Sequence, residues 1–497
     1  MAIAVSNDLM RRSDLQEIQA GTSSLELMRR AGASVYEAYP WQDGTVIVCG
    51  VGNNGGDGYV LALELKKRGI SCRLVLLEFA FSKDGRFYFD RCLEAGIPWE
   101  VYSPETDFSN AAAIADCIFG TGFHGNAQGR AAELILAINR AQKEVVSVDI
   151  NSGLGGDNGQ GEPCVKSALT IAIGAYKYGH FLGKAKDVIQ KKTCVDIGIP
   201  ILEEPVCKVA EDELFRGFFA TRMQNSHKGN YGYVGILGGC LEYSGAAKLA
   251  NMSCAALRSG CGVATLAVPQ GIANSVMPYL LESTLFAMPD DGAGHMVFEP
   301  DAMDAFLRGK RAIAMGMGWG RSLENLHILK YIIEHYEGAL VIDADGLNTL
   351  AELDRSVLQN TKSNVILTPH LKEFERISGI PMEETAKDPV GCAKSYAKEN
   401  GVCVLLKGTC TVVTDGDECF LVDRGCAGMA TAGSGDVLSG ILVGLLGYSP
   451  ATARTVACGA YLAGMAGELA EADSNPISMT ASDTVAHISK AISMLMF

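Results

Sequence analysis

The chain has 497 residues, enough for roughly two to four domains at about one per 150 residues. Hydrophobic residues make up 48% and charged residues 20%, which excludes a disordered chain and supplies ample material for buried cores. With 42 basic and 57 acidic residues the formal net charge is −15. That excludes nucleic acid as the expected partner, because a phosphate backbone calls for a basic face.

The N-terminal stretch MAIAVSNDLMRRSD lacks a secretory h-region, and the longest apolar run, VLSGILVGLLGY, is too short and Gly-interrupted to span a membrane. The expectation is a cytoplasmic protein with no membrane partner. The 16 cysteines include no CxxC and lie mostly in apolar stretches, so they read as buried thiols in a reducing compartment. The 57 glycines exceed the usual ~7% and are clustered.

In chain order, SLELMRRAGASVYEAY has helical spacing. TVIVCG reads as a strand, GNNGGDG as a Gly-rich turn, YVLALELKKRG as a helix closed by Gly69, and CRLVLLEF as a strand. DCIFGTG, VVSVDI and ALTIAIG read as further short strands, and CVDIGIP closes this half. Strands alternating with helices imply a parallel sheet covered on both faces. An acidic, Pro-containing stretch near residues 201–212 reads as a linker. From HKGNYGYVGILGG onward the alternation restarts through VATLAVP, AIAMGMG, ALVIDAD, VILTPH and VCVLLKG, and ends on a Gly-rich helix start, AGSGDVLSGILVGLL. The halves share no repeated motif. The expectation is therefore two unrelated α/β domains: a Rossmann-like doubly wound domain over 1–210 and a second α/β domain over 211–497.

In the first half, Gly50, Gly52 and Gly55 form a literal GxGxxG between a strand and a helix, a position that favours phosphate or dinucleotide binding. Asn53, Asn54 and Asp57 depart from the ordinary dinucleotide loop and add oxygens suited to a hydroxylated ligand or a hard cation. The plainer reading is a tight turn whose Asx side chains satisfy its own backbone. Asp116, Asp149 and Ser152 mark other strand ends, which in a parallel sheet share one rim. Asn54, Asp116 and Ser152 would converge there on a cation, and Asp149 would face the ligand as an acid or base.

GVGNNGGDGYVLALEL, DCIFGTG and VDINSGLGGD, in this order, resemble the NAD(P)H-hydrate epimerase domain known as the YjeF N-terminal domain, over roughly residues 8–200. The resemblance implies substrate contacts from Asn53, Asn54, Gly55, Gly56, Asp57, Gly120, Thr121, Gly122, Phe123, His124, Gly125, Asn126 and Asp149. It implies a potassium ion on Asn54, Asp116 and Ser152. Asn151 stands where the family has proline, and Arg29 where it has an acid.

In the second half, Gly433, Ser434 and Gly435 offer backbone N–H groups at a helix start, which suit an anion. Asp436 lies beside them, placed to take a proton from a hydroxyl during phosphoryl transfer. Plainer readings exist for each motif: an Asp-capped helix for AGSGD, a satisfied loop histidine for His370, turn chemistry for Asp343 and Asp345. HKGNYG, Gly245-Ala246, GMGWG, DADGLN, TPHLKEF, KGT and GMATAGSGD together resemble the ribokinase-like family, in its NAD(P)H-hydrate dehydratase branch, over roughly 213–497. The resemblance implies adenine-nucleotide contacts from Lys407, Gly408, Thr409, Cys410, Thr411 and Gly435, and hydrate contacts from Ala246, Gly318, His370 and Asp436, the last as base. Cys240 replaces the family's usual serine, Met317 and Trp319 its Pro and Leu, and Cys426-Ala427 its Asn-Pro.

The resemblances imply a bifunctional repair enzyme. The first domain would interconvert R and S epimers of NADH hydrate and NADPH hydrate. The second would dehydrate the S form using ADP or ATP with Mg2+, and the whole would be a homo-oligomer. Two alternatives stay open at this point. One is a hydroxymethylpyrimidine- or thiazole-type small-molecule kinase with a regulatory Rossmann-like N-terminal domain. The other is a non-catalytic nucleotide-binding scaffold.

Overall fold

A computed structural model of the chain describes residues 1–202, 206–219, 221–254 and 256–496. The chain divides into two compact units, Ala2–Val206 and Cys207–Phe497.

The first unit is built on a seven-stranded sheet in which every neighbouring pair is parallel. Its order is Trp99–Val101, Cys72–Leu76, Thr45–Cys49, Ala113–Cys117, Glu144–Val148, Leu169–Ile173 and Lys192–Val195. The central strands are apolar almost throughout because both faces are covered. Alternation along them separates two cores. Ile47, Cys49, Leu74, Leu76, Ala115 and Cys117 pack with Tyr59, Leu61, Leu65, Tyr88 and Phe89 from helices Asn53–Lys67 and Lys83–Glu94. Val46, Val48, Val75 and Ile114 pack on the other side with Leu134, Ile135 and Ile138 of helix Gly129–Arg140. Serine side chains start three of the helices: Ser6, Ser23 and Ser82 accept from the N–H groups of Leu9, Glu26 and Gly85. The Gly-rich stretch expected as a turn is instead helical from Asn53. Gly55, Gly56 and Gly58 do not break the helix, and their missing side chains admit neighbours. A Cβ on Gly55 would lie 2.1 Å from the carbonyl oxygen of Gly50.

In the second unit the sheet order is Thr284–Met288, Val263–Pro269, Tyr233–Leu237, Ala312–Met315, Ala339–Ile342, Asn364–Leu367, Cys403–Leu406, Thr411–Thr414, Cys419–Val422 and Cys207–Val209. Pairing is parallel as far as Cys403–Leu406, antiparallel through the next two strands, and parallel again at the last. The expected linker at 201–212 is thus partly wrong. Cys207–Val209 is a strand aligned with Cys419–Leu421, and a short helix, Asp212–Phe215, follows it; residues 203–205 lie outside the described residues. Buried Cys207 and Val209 on either side of Lys208 give that segment the alternation of a strand, which the surrounding acids and proline obscured.

Helix Ser434–Leu446 runs through the core of this unit and is buried on all sides from Val437 to Leu446. It crosses helix Ser244–Cys254 closely at Gly440, where a Cβ would meet the Ala250 carbonyl oxygen at 2.1 Å. Any side chain at 440 would push the two helices apart, at a cost of about 1–3 kcal/mol.

Both sheets reverse their strand order at one point. In the first unit this falls between Thr45–Cys49 and Ala113–Cys117, in the second between Tyr233–Leu237 and Ala312–Met315. A crevice opens outside the carboxyl ends of strands at such a switch point, and ligands bind there.

Candidate active sites

At the first switch point, the segment after Ala113–Cys117 passes between Asn54 and Asp149. A Cβ on Gly120 would lie 3.0 Å from Asp149 Oδ2 and 3.3 Å from Asn54 Cβ. Asp149 ends strand Glu144–Val148 with φ at 64°, a left-handed conformation that costs a non-glycine residue free energy and is tolerated best by Asp and Asn. The turn aims the carboxylate into the crevice. Its Oδ2 accepts from Thr121 N at 3.1 Å, and its Oδ1 receives Lys177 Nζ at 2.7 Å.

Lys177 was not expected from sequence. It is 2% exposed and also donates to the Ile173 carbonyl at 2.8 Å. His180 completes the support. Its Nδ1 accepts from Lys177 N at 2.9 Å and its Nε2 lies 2.7 Å from the Asp149 carbonyl oxygen. The signal that would have found Lys177 is its place just past Leu169–Ile173, the strand beside the one that ends in Asp149.

Burial pushes the Asp149 carboxyl up, but the Lys177 charge and hydrogen bond outweigh it and hold the group below its ordinary value. Asp57 moves the other way. Burial, then the negative charge of Asp149, push its carboxyl well up, only partly offset by Lys177. Asp14, on helix Asn7–Gln19, is pushed up to about 6, chiefly by burial. The crevice therefore sets an ionised Asp149 beside Asp57, whose carboxyl is held protonated, and Asp14, raised to about 6; groups pushed apart in this way are the equipment of acid–base catalysis.

Asp116 is fully buried and its oxygens are taken. Oδ2 accepts from Ser147 Oγ at 2.8 Å and Ser152 N at 2.9 Å, and Oδ1 from Ser152 Oγ at 2.5 Å and Ile118 N at 3.3 Å. Burial raises its pKa against these hydrogen bonds. Ser152 Oγ also accepts from Phe119 N at 2.8 Å, and Asn54 Nδ2 donates to the Phe119 carbonyl at 2.9 Å. The backbone of Phe119 thus gathers Asn54 and Ser152, with Asp116 behind it. Among these, Asn54 Oδ1 is a buried oxygen with no hydrogen-bond partner. A buried amide oxygen with no hydrogen-bond partner fits one ligand of a hard cation with oxygen ligands.

The other expected substrate residues are less uniform. Gly56 faces helix Ser24–Glu37, where a Cβ would meet Met28, so its place is structural. Phe123 stacks on Phe119 with centroids 4.7 Å apart. Gly122, His124, Gly125 and Asn126 are exposed, with Asn126 Oδ1 accepting from Glu162 N at 3.0 Å. Asn53 is exposed at the helix start. Asn151, in place of the family's proline, is buried and donates to Val165 O, Ser167 Oγ and Val188 O, so side-chain bonds hold the turn that a ring would stiffen.

In the second unit, Asp436 lies in the first turn of helix Ser434–Leu446, whose N-cap Gly433 has φ at 95° and supplies no side chain to the helix's free N–H groups. Its carboxyl is pushed up to about 7 by burial, then by the charge of Asp343, against the pull of Lys407. Lys407 gives its short contacts to other carboxylates. Its Nζ lies 3.0 Å from Asp343 Oδ1 and 3.7 Å from Glu373 Oε2. Burial pulls its pKa down, and these carboxylates more than restore it, holding it above the ordinary lysine value. Asp343 is buried and accepts from Ser439 Oγ at 2.7 Å through its other oxygen. A Cβ on Gly435 would sit 3.6 Å from Lys407 Nζ, so the bare helix start, the lysine and Asp436 share one cavity wall.

The turn chemistry expected at Asp343 and Asp345 carries a cost. Ala344 between them has φ 48° and ψ −118°. The strain points Asp343 at Lys407 and lets Asp345 Oδ2 accept from Gly320 N at 2.9 Å. A Cβ on Gly318 would come within 2.9 Å of Ala246, so these two expected substrate residues adjoin. His370 serves as the N-cap of helix Leu371–Ser378. Its Nδ1 accepts from Lys372 N and Glu373 N at 3.1 and 3.2 Å, and its Nε2 lies 3.4 Å from Glu373 Oε1. Gly408 and Thr409 are exposed in the turn between Cys403–Leu406 and Thr411–Thr414, whereas Cys410 is buried. Glu373 and Ser439 were not singled out from sequence; each lies one turn past a residue that was.

The two units are thus α/β nucleotide-handling modules, each with a buried aspartate–lysine pair at its candidate site. Residues 24–179 match the profile of the YjeF-related protein N-terminus and residues 234–490 that of NAD(P)H-hydrate dehydratase. The chain is 33% identical over 485 residues to the bifunctional NAD(P)H-hydrate repair enzyme Nnr of Moorella thermoacetica, covering 93% of this chain and 91% of that one. It is 30% identical to the enzyme of the same name from Escherichia coli, with 98% and 93% covered. A ribokinase-like superfamily protein of Enterococcus faecalis superposes with a TM-score of 0.51 at 22% identity, covering 58% of this chain and 96% of that one, which shows the ribokinase-like fold of the second unit. The chain belongs to the family of bifunctional NAD(P)H-hydrate repair enzymes.

Proposed function

We propose that this chain restores hydrated nicotinamide dinucleotides in two steps. The Ala2–Val206 unit epimerises R and S forms of NADH hydrate and NADPH hydrate, and the Cys207–Phe497 unit dehydrates the S form. Relatives align over both halves, which displaces the reading of the first half as a regulatory module on a small-molecule kinase. The observation that carries the proposal is the setting of Asp436, a carboxyl pushed up to about 7 beside an uncapped helix start. A base of that pKa operates near neutral pH.

Dehydration runs through a phosphate ester. The N–H groups at Gly433–Gly435 and the Lys407 ammonium hold the terminal phosphates of ADP or ATP, brought in with Mg2+ and contacted by Lys407, Gly408, Thr409, Thr411 and the backbone of Cys410. The hydroxyl of the hydrate attacks the terminal phosphorus as Asp436 takes its proton. The O–P bond forms and the anhydride P–O bond breaks. Phosphate then leaves with the C–O electron pair, the neighbouring ring carbon loses a proton, and the ring double bond returns. Ala246, Gly318 and His370 line the hydrate's side of this site.

Epimerisation needs a hydroxyl-bearing carbon to open and close again, so a proton must be given and another taken. Asp149, held ionised by Lys177, takes it; Asp57, which keeps its proton, gives it. Asn53 to Asp57 and Gly120 to Asn126 flank the substrate. Asn54, with Asp116 and Ser152, would hold a potassium ion, which supplies fixed positive charge near the dinucleotide phosphates.

All sixteen cysteines are free, and among the described residues no helix is long and apolar enough to cross a membrane. The free thiols suit a reducing compartment, and we assign the cytoplasm. The homo-oligomer that the resemblance implies is tested by light scattering. Incubation of mixed NADH hydrate epimers with ADP or ATP tests the function: recovery of the full NADH absorbance is expected, and no recovery with either nucleotide refutes it.

A further inference from the structure

Cys240, which replaces a serine usual in the family, has neighbours that the repair reaction does not use. It follows strand Tyr233–Leu237 and is buried, with its Sγ 3.3 Å from Glu242 Oε2. Glu242 Oε2 in turn lies 3.2 Å from His295 Nε2, and one donor atom from each of the three residues lies within 4.8 Å of the others. Bonds of about 2.0–2.3 Å arranged tetrahedrally give donor–donor edges of roughly 3.3–3.8 Å, so two edges already have the spacing of a zinc site. His295 is also oriented from behind. Its Nδ1 lies 3.2 Å from Asp291 Oδ2, while Asp291 Oδ1 accepts from the N–H groups of Ala293 and His295 at 2.8 and 3.1 Å. A carboxylate on Nδ1 fixes the proton there and leaves the Nε2 lone pair facing Glu242 and Cys240, the arrangement that supports metal-bound histidines. The turn that carries His295 is itself pinned by the bridge between Asp290 and Met296.

We propose that Cys240, Glu242 and His295 form a binding site for a borderline-soft divalent ion of the zinc class, with Asp291 as the positioning residue for His295. One thiolate, one imidazole and one carboxylate select zinc or cobalt over magnesium or calcium, which prefer oxygen alone. On binding, the S–H bond of Cys240 is replaced by an S–metal bond and its proton leaves to solvent. The fourth position remains open to water. The site ties the Cys240–Tyr243 segment, which leads into the helix carrying Ala246, to the Asp290–Met296 turn. A metal would thereby fix one wall of the crevice beside Gly318. None of this depends on the repair reaction.

The test is cobalt(II) titration of the full chain after dialysis against a chelator, read by the thiolate-to-cobalt charge-transfer band and reversed by zinc. A saturable band at one equivalent is expected. Cys240→Ser should abolish it, His295→Gln and Glu242→Gln should weaken binding at least tenfold, and Asp291→Asn should weaken it roughly 10–100-fold. Glu242 and His295 are surface positions, so their variants keep the test valid should Cys240→Ser fold poorly. No band in the parent chain, or an unchanged band in Cys240→Ser or His295→Gln, overturns the proposal.

Discussion

Asp149 ends a strand in one α/β unit, Asp436 opens a helix in the other, and the two meet opposite electrostatics. Asp149 touches a buried lysine directly, at 2.7 Å, and is held ionised. Asp436 also has a lysine nearby, but Lys407 gives its short contact to Asp343, and the net effect of burial and the Asp343 charge is a carboxyl near 7. The same two residue types therefore yield a carboxylate that is charged at any working pH in one unit and one poised to exchange its proton in the other. What decides is which partner claims the lysine.

The sharpest way to break this comparison is to remove the two carboxylates separately. Asp436→Asn should lower conversion of the S epimer by roughly 10²–10⁴-fold, the scale of a lost general base, and leave epimer exchange intact. Asp149→Asn keeps a residue that tolerates φ of 64° and should confine fast recovery to the S epimer. Stopped-flow absorbance on resolved epimers distinguishes them. Equal loss in both assays would undo the division of labour.

Next in size is Lys177→Met. Removing one partner of a buried pair leaves Asp149 uncompensated, and about 3–5 kcal/mol of the first unit's stability should go, read as a lower urea midpoint. Lys407→Met should raise the pH at which dehydration reaches half its maximum, since the lysine pulls the Asp436 pKa down.

The pH profiles sharpen the contrast further. Dehydration should fall about tenfold per pH unit below about 7, as Asp436 becomes protonated. Base-dependent epimerisation should persist to lower pH. The stability contributions also differ in sign. Asp149's carboxyl lies below its unfolded value, so its ion pair stabilises above about pH 4 and is lost as pH falls further. Asp436's lies above, so the folded state favours its protonated form, and that contribution is lost as pH rises from about 4 to about 7.

The smallest effect concerns His370. Loss of its cap in His370→Ala should cost about 1 kcal/mol. A rise in KM for the hydrate beyond what that destabilisation produces would mark a ligand contact as well; an unchanged KM would leave it a cap alone.

Much of this was legible before any coordinates. Short continuous apolar runs such as TVIVCG and ALVIDAD become central strands, and Asp149 and Asp436 could be placed because strand ends and helix starts have known directions. Three features resisted for separate reasons. The NNGGD segment looked like a turn because its glycines depress helix propensity, whereas close approach of the Gly50 carbonyl is what they permit. Lys177 was hidden because a buried lysine is defined by a partner 28 residues away. Residues 207–209 read as part of a linker because their strand depends on pairing with residues more than two hundred positions later.

The approach of two helices at Gly440 has one more consequence. Asp436 stands four residues, about 6 Å, along the same helix from that crossing. The proposed proton acceptor is thus mounted on a helix wedged closely against its neighbour, with little independent play. Heat or pressure that loosens this helix should silence dehydration at the same threshold at which the fold itself gives way, with no intermediate range of a folded but sluggish enzyme.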